Sequence, residues 1–335
     1  MTGKQKQLRP SLQHVADEVG TTKMTISRYL KDPELVSEAL GKKISAALDK
    51  VGYIPNKAPG ILSKNQSHSI GVLVPSLTNQ VFSEVIREIE QVLEQHGYQP
   101  MLAHYGYSKD REEDRITTLL SYNVDGLILS ESHHTEKVRK MIKVAGIPVV
   151  EIMDSVSPPM QQAIGYDNAE ASKAMTRRMI DKGYRCIVYL AARMDERTKL
   201  KISGYEAAMQ GADLEPRVYT TEAASSFSLG GQLLNSAREQ YPQMDGIICT
   251  NDDLAIGALF ECQRQGLRVP EDMAIAGFHN HNFAREVVPR IATVDTPREA
   301  VGRIAAEQLI DRLNGKRMSK RIYSLDFTVV DGETI

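Results

Sequence analysis

Apolar positions in the first fifty residues recur at helical spacing and predict three short helices. They span residues 12–19, 23–30 and 38–50, with Ser11, Thr22 and Ser37 as amino-terminal caps and Gly52 beyond the last turn. Residues 53–69 have no regular period and contain Pro55, Pro59 and Gly60, which favour a linker with at most one short helix. A domain boundary is therefore expected there.

From Ser69 onward, short apolar runs alternate with amphipathic segments. The runs are SIGVLVP, YQPMLAH, DGLILS and IPVVEIM, and the rhythm restarts near Ala163 with IGYDN, CIVYLAA, DGIICT, MAIAGF and IATVDT. This βαβ pattern predicts an α/β body with parallel sheets covered by helices on both faces.

The predicted fold class is an all-α helix-turn-helix arm plus an α/β body of two doubly wound parallel-sheet lobes. The pattern divides the chain into an arm over residues 1–55, a linker over 56–68 and a body over 69–335. The lobes are interleaved along the chain, the second mainly at 163–293. Ligands of open α/β sheets bind beyond the carboxyl ends of strands, so the cleft between the lobes is the expected pocket.

The segment LQHVADEVGTTKMTISRYLK has the spacing of two short packed helices. Its inward positions predict a small core, Ala16 permits close helix approach, and Gly20 supplies the turn. The second helix, whose amino end enters the major groove in such proteins, then exposes a polar face. The inward residues are Val15, Val19, Ile26 and Leu30, and the exposed ones are Lys23, Met24, Thr25, Ser27 and Arg28.

Charge is divided unevenly along the 335 residues. Residues 1–62 contain ten Lys/Arg and six Asp/Glu (10 − 6 = +4), and the rest contain 31 and 37 (31 − 37 = −6). A basic arm on an acidic body indicates that the arm faces a polyanion.

The polar start MTGKQKQLRP has neither a signal peptide nor a membrane anchor, so a cytoplasmic protein without a membrane partner is expected. Cys186, Cys249 and Cys262 are expected to be reduced core residues.

Several polar and aromatic residues follow predicted strands of the body. Ser76, Asn79 and Phe82 come after the first strand, where hydroxyl and amide groups can bond sugar hydroxyls and a phenyl face can pack on sugar carbons. Asn251 and Asp252 follow DGIICT and can hold further hydroxyls. For Asn251 a helix cap is an equally good interpretation.

The arm resembles the lactose-repressor family of bacterial regulators. The resemblance rests on matches to the family pattern, with three departures at His14, Thr21 and Ile26. The matching residues are Leu12, Val15, Ala16, Gly20, Thr25, Ser27, Arg28, Val36, Ser37, Tyr53, Pro55 and Asn56.

This resemblance implies that Lys23, Met24 and Arg28 read bases, in agreement with the affinity of Lys and Arg for guanine acceptors and of methionine for a thymine methyl. It also implies that Thr25, Ser27, Tyr53 and Asn56 contact phosphates. Residues 56–62 would form a hinge helix in which Leu62 wedges into the minor groove, although Pro59 and Gly60 are poor residues for a short helix. Thr22 and Lys57 complete the predicted DNA-binding set.

The resemblance extends to about Gly332 and narrows to the gluconate-operon repressor branch. It is carried by VPSLTNQVF, MLAHYGY, MDSVSP, GYDN, DERT, CTNDDLAIGA and AIAGFH. Members that bind neutral sugars usually have an aspartate where His279 stands and an arginine where Lys201 stands. Loss of a carboxylate with retention of cations (Lys201, Arg197 and, as a further candidate, His279) lowers the cost of binding an anion. The expected effector is a small sugar acid such as gluconate, with its phosphate and keto-derivatives as alternatives.

The predicted effector-binding set also includes Asp154 and Phe227. Arg197 and Lys201 could alternatively be solvated helix residues.

We expect palindromic operator DNA as the partner, and a homodimer because the chain ends without a heptad tail. No cofactor is expected. No metal is expected either, since the HNHN run at 279–282 lacks a third spaced ligand. An enzyme on a doubly wound fold would leave the arm unexplained, and a transport sugar-binding protein would need a signal peptide. The sequence has no nucleotide-binding or hydrolase motif.

Overall fold

The computed structural model describes residues 10–56 and 66–335. The described residues form two compact units, divided between Ser67 and His68. Lys57, Leu62 and most of the predicted hinge therefore lie outside the described residues.

The first unit contains the three predicted helices. They are α1 (Leu12–Val19), α2 (Lys23–Lys31) and α3 (Glu38–Val51), with a 3₁₀ turn at Pro33–Leu35. Gly20 and Gly52 end α1 and α3 with φ of 74° and 65°, a region that favours glycine. Of the predicted inward positions, Val15 and Ile26 are buried with Ala16 and with Ile44 and Ala47 from α3, and Val19 and Leu30 are partly buried against them.

The first lobe of the second unit is built on a six-stranded parallel sheet with the order β11-β5-β4-β3-β1-β2. Its strands are β1 (Ser69–Val74), β2 (Gln99–His104), β3 (Gly126–Leu129), β4 (Val149–Ile152), β5 (Gln162–Gly165) and β11 (Ile322–Ser324). Its helices are α4 (Val81–Gln95), α5 (Lys109–Ser121), α6 (Glu136–Ala145) and α12 (Arg298–Leu313). The helices α4 and α12 cover one face of the sheet, and α5 and α6 cover the other.

The second lobe has a four-stranded parallel sheet in the order β7-β6-β8-β9. The strands are β6 (Ile187–Ala192), β7 (Arg217–Thr221), β8 (Gly246–Cys249) and β9 (Ala274–Ala276). The helices are α7 (Asn168–Asp181), α8 (Glu196–Gln210), α9 (Phe227–Gln240), α10 (Asp252–Gln265) and α11 (Asn282–Glu286). The cysteines Cys186, Cys249 and Cys262 are free and buried in this lobe, as predicted.

Two predicted strands belong elsewhere than expected. The run beginning near Ala163 was expected to open the second lobe, but β5 pairs with β4 and β11 and so extends the first sheet. The run IATVDT forms β10 (Thr293–Asp295), which pairs antiparallel with β12 (Thr328–Val330). The chain therefore passes between the lobes three times, at residues 166–167, 296–297 and 325–327.

A close contact between α7 and α8 sets the position of cleft residues in the second lobe. A side chain at Gly204 in α8 would meet the backbone carbonyl of Ala169 in α7, so only glycine allows the two helices to approach this closely. This approach fixes the position of α8, whose first two turns contain Arg197 and Lys201.

Candidate functional site

The exposed side of α2 contains the residues expected to read DNA. Thr22 caps the helix by accepting a hydrogen bond from the Thr25 backbone N–H at 3.2 Å, and the two hydroxyl oxygens lie 3.0 Å apart. Lys23, Ser27 and Arg28 are exposed, and Met24 is 65% exposed although it is apolar. An exposed methionine flanked by cations at a helix amino end suits contact with base edges.

A concave surface of the arm brings together three predicted DNA contacts that are distant in sequence. Lys23, Tyr53 and Asn56 line it with the first turn of α1, including Ser11 and Gln13. The amino end of a helix is favourable for an anion because its first backbone N–H groups are unpaired within the helix. This surface is therefore suited to a DNA phosphate.

His14 performs a local structural task. Its Nδ1 atom accepts a hydrogen bond from the Ser11 backbone N–H at 3.0 Å, closing the first turn of α1. The third residue of a capping box usually does this with a carboxylate or amide. The departure at His14 thus preserves the cap and leaves the residues of α2 unaffected.

In the second unit, a narrow cleft of about 40 Å³ lies where the strands of the two lobes end. The lining residues from the first lobe are Asn79, Val81, Phe82, Tyr107 and Met153. Those from the second are Ala192, Arg193, Asp195, Arg197, Thr198, Lys201, Ser225, Thr250, Asn251 and His279.

Lys201 is the most deeply buried cation of the cleft, with 4% of its surface exposed. Its ammonium donates to the carbonyl of Thr250 at 3.1 Å and to Nε2 of His279 at 3.2 Å, and it lies 3.9 Å from the centre of the Phe278 ring. Burial lowers the pKa of Lys201 to about 7. A bound anion would favour the charged form.

His279 stays neutral beside it. Burial, with the nearby charges of Lys201 and Arg298, holds the pKa of His279 well below its usual value, so the expectation from the sequence that His279 is a candidate cation is wrong. With Nε2 accepting from Lys201, Nδ1 carries the proton and donates to Thr296 Oγ1 at 3.2 Å. Its φ of 103° is rare for a residue with a side chain, and such conformations cluster at functional sites.

Arg197 and Asp195 form a charged pair at the start of α8. Asp195 caps the helix through the Thr198 N–H at 2.8 Å, and its carboxylate lies 3.5 Å from the Arg197 guanidinium. Burial alone would raise the pKa of Asp195, but Arg197 and this N–H hold it below its usual value. Arg197 also donates to the Ser130 carbonyl of the first lobe at 3.0 Å and lies over the Phe82 ring.

A second link between the lobes joins Arg193 to Tyr107. Arg193 donates to the Tyr107 hydroxyl at 2.6 Å, and the amide of Asn79 donates to the same oxygen at 3.3 Å. The cleft therefore holds three basic side chains, those of Arg193, Arg197 and Lys201, against one carboxylate among its lining residues.

Six of the predicted effector residues line the cleft: Asn79, Phe82, Arg197, Lys201, Asn251 and His279. Asn251 is also a helix cap, since its Oδ1 accepts from the Leu254 N–H at 3.3 Å. The two interpretations of this residue are thus compatible.

Four predicted effector residues do not line this cleft. Ser76 closes a turn by accepting from the N–H groups of Thr78 and Asn79. Asp154 caps a turn through the Val156 N–H at 2.8 Å.

The other two are held in the second lobe. Asp252 is fully buried, where it accepts from the His281 N–H and the Thr293 hydroxyl, at 2.9 and 2.7 Å. Phe227 packs edge-on against Phe260 and Phe283. Local bonds or packing occupy Ser76, Asp252 and Phe227, whereas Oδ2 of Asp154 is buried without a hydrogen-bond partner among the described residues.

Several polar cleft residues were not predicted from the sequence: Tyr107, Arg193, Asp195, Thr198, Ser225 and Thr250. Two of them carried a usable signal. Arg193 directly follows the apolar run IVYLAA, and Asp195 is the third residue after that run, so the strand-end rule that selected Asn251 would have selected both.

Among the described residues, no group of three His, Cys, Asp or Glu side chains is arranged to hold a metal ion. Within the same ranges, 10–56 and 66–335, no helix is long and apolar enough to cross a membrane.

Comparison with known proteins gives two family matches. Residues 11–56 match the model of bacterial regulatory proteins of the lacI family, and residues 67–325 match the model of periplasmic binding proteins and the sugar-binding domain of the LacI family.

Individual relatives agree with these matches. The chain is 57% identical over 330 residues to the HTH-type transcriptional regulator GntR of Escherichia coli K12, covering 98% of this chain and 100% of that one. It is 40% identical over 328 residues to the regulator IdnR of the same strain, covering 98% and 99%. A crystal structure of a LacI-family transcriptional regulator from Silicibacter pomeroyi superposes with a TM-score of 0.91 at 31% identity, covering 97% and 99%.

Proposed function

Because this chain belongs to the lacI family of bacterial regulatory proteins, we propose that it represses genes for the uptake or breakdown of a sugar acid and leaves its operator when that acid binds the cleft. Gluconate is the proposed effector, in line with the resemblance to the gluconate-operon branch and with the similarity to GntR. The proposed active form is a cytoplasmic homodimer on palindromic DNA, because two-fold protein symmetry matches palindromic sites.

The observation that carries the effector proposal is the charge balance of the cleft. Arg193, Arg197 and Lys201 line it with only Asp195 as a carboxylate among the lining residues. An anion entering this site loses water but gains charge-assisted hydrogen bonds. Asn79, Thr198 and Ser225 supply amide and hydroxyl groups for a polyhydroxy chain.

The contacts between the lobes support an allosteric link. Arg197 bonds Ser130 and Arg193 bonds Tyr107 across the cleft, so a ligand that pairs with these guanidinium groups changes how the lobes are held. If effector and operator favour different lobe arrangements, each must weaken the binding of the other by the same factor.

Calorimetry of the full chain tests the effector class. Gluconate is compared with glucitol, which keeps the hydroxyl chain but lacks the carboxylate, and with 6-phosphogluconate and 2-ketogluconate. We expect gluconate or one of the two derivatives to bind at least about tenfold more tightly than glucitol, since one charge-assisted hydrogen bond is worth about 1.5–3 kcal/mol. Equal affinity for glucitol would refute an acid as the effector.

A gel shift completes the test. The DNA is an operator duplex selected by the protein from a random-sequence pool, and the tightest ligand from calorimetry is added at rising concentration. Release of the duplex supports repression relieved by the acid, whereas tighter binding would make the ligand a co-repressor and contradict the proposal.

A further inference from the structure

A cluster of cations lies on the first lobe, far along the chain from the arm. Residues 315–321, GKRMSKR, contain four cations and no acidic residue, although residues 63–335 carry a net charge of −6. We name this cluster and its neighbours the basic rim: Lys143, Arg312, Lys316, Arg317, Lys320 and Arg321.

The members of the basic rim lie at one end of the six-stranded sheet, where its strands begin. Lys143 is in the last turn of α6, just before β4, and Arg312 is in the last turn of α12. Residues 316–321 lead directly into β11. All strands of this sheet are parallel, so these positions meet at the edge formed by the amino ends of the strands.

The chain from the arm enters the body at the same edge, because β1 begins at Ser69. In the strand order, β4 is two positions from β1 and β11 is four. With neighbouring strands about 4.8 Å apart, the basic rim lies about 10–19 Å from the start of β1. The start of β1 and the basic rim thus lie at the same end of the first sheet.

The basic rim borders an open groove without a carboxylate among its described lining residues. Arg312 is anchored, since it donates to the Val149 carbonyl at 2.9 Å and to Gln161. Arg321 donates to the Pro159 carbonyl at 2.6 Å. Lys143, Lys316 and Arg317 are exposed, and the Asp311 carboxylate pairs with Lys316 at 2.7 Å. Several exposed basic side chains next to two anchored guanidinium groups form an extended positive surface. Such a surface suits a polyanion better than one small ligand.

We propose that the basic rim contacts the phosphate backbone of DNA outside the base pairs read by the arm. This inference rests on the proposed function, since it requires the chain to bind an operator. Phosphate contacts add affinity without reading sequence, so the basic rim strengthens binding to an operator in its flanking DNA while the arm alone supplies discrimination.

The experiment compares the full chain with the triple variant Lys316→Gln, Arg317→Gln and Lys320→Gln. A matched control removes three cations of the second lobe, by Lys199→Gln, Arg264→Gln and Arg268→Gln. Each protein is titrated, without effector, on the selected operator duplex alone and on the same duplex extended by about one helical turn, ten base pairs, at each end. The titrations are repeated between 0.05 and ~0.3 M salt, where the slope of log affinity against log salt reports the number of phosphates that the protein neutralises.

On the extended duplex we expect the triple variant to bind about tenfold or more weakly at ~0.1 M salt, with a salt slope smaller by about one for each phosphate that it no longer neutralises. On the short duplex, the triple variant, control and unchanged protein should bind alike. Equal binding by all three on both duplexes would overturn the proposal and point to an anionic protein as the partner. An equal reduction on both duplexes would also overturn it, because the rim would then not reach flanking DNA.

A different result would contradict the proposed function without deciding the role of the basic rim. If the sugar acid does not release the unchanged protein from the operator, the effector proposal is wrong, while the difference between the two duplexes still decides the role of the basic rim. If no specific duplex can be selected at all, both proposals are wrong.

Discussion

Replacement of Lys201 by methionine should selectively abolish the preference for an acid. Methionine fills similar space without the charge, so the variant loses one charge-assisted hydrogen bond to a bound carboxylate. That bond is worth about 1.5–3 kcal/mol, which corresponds to a roughly 10- to 150-fold weaker affinity for gluconate. Affinity for glucitol and for operator without effector should stay unchanged, because neither uses this charge.

The pH dependence gives a second measure of the same contact. Since burial lowers the pKa of Lys201 to about 7, the empty cleft loses this positive charge as the pH rises above 7. A bound carboxylate favours the protonated amine, so binding takes up a proton and the affinity of the unchanged protein should fall about tenfold per pH unit above 7. In Lys201→Met this dependence should disappear.

Calorimetry between pH 6 and 9 measures both effects, with Lys199→Met as the control. Lys199 lies on the same helix but is exposed and paired with Glu196, so the control should bind like the unchanged protein. If Lys201→Met bound gluconate with unaltered affinity, or if the affinity of the unchanged protein were constant over this pH range, Lys201 would not be the carboxylate partner. Arg193 or Arg197 would then take that role.

Three other predictions concern the arm, the linker and the first lobe. Lys23→Ala or Arg28→Ala should reduce the preference for operator over random DNA by about 1–3 kcal/mol, measured by competitive gel shift, while effector binding stays intact; unaltered discrimination would contradict base reading. Leu62→Ala should lower operator affinity and DNA bending together, measured by circular-permutation gel shift, whereas weaker binding with full bending would place the wedge elsewhere. Burial alone would lower the pKa of His134, but hydrogen bonds with Glu112 and Glu151 raise it to about 9. The raised pKa stabilises the fold fully below about pH 6.5, and this contribution is lost as the pH rises towards 9. The difference in unfolding free energy between the unchanged protein and His134→Gln, measured by urea unfolding, should therefore shrink by up to about 3 kcal/mol over that range. A constant difference would refute the buried imidazolium.

Local signals were enough to predict the arm. Caps and glycine stops act within one helical turn, so Ser11, Gly20 and Thr22 marked helices that the structure shows within one residue of the predicted bounds. Alternating apolar runs likewise predicted most strands of the body and the place of the cleft.

Pairing between distant segments was beyond the sequence. The strand at Ala163 looks like the start of a new sheet, but it extends the first sheet by pairing with β4, just before it in sequence, and with β11, about 160 residues later. For the same reason the link between Arg193 and Tyr107, 86 residues apart, could not be read from either motif.

Burial explains why two predicted site residues have surroundings that the sequence did not indicate. Asp252 follows a strand as a ligand residue should, but it is completely buried, and His281 and Thr293 donate to its two oxygens. His279 was expected among cations, yet its neutral state follows from burial next to Lys201 and Arg298, which no local pattern reveals.

The three passages of the chain between the lobes also order events during synthesis. Strand β11 is the last strand of the first sheet, and β12 pairs with β10, so these pairings cannot form until residue 330 has been synthesised. At about 5–20 residues per second, the arm leaves the ribosome roughly fifteen to sixty seconds earlier and can fold by itself. The nascent chain therefore has a complete DNA-binding arm before its effector-binding body is complete. A truncation before β11 removes a strand of the first sheet and the partner of β10 together.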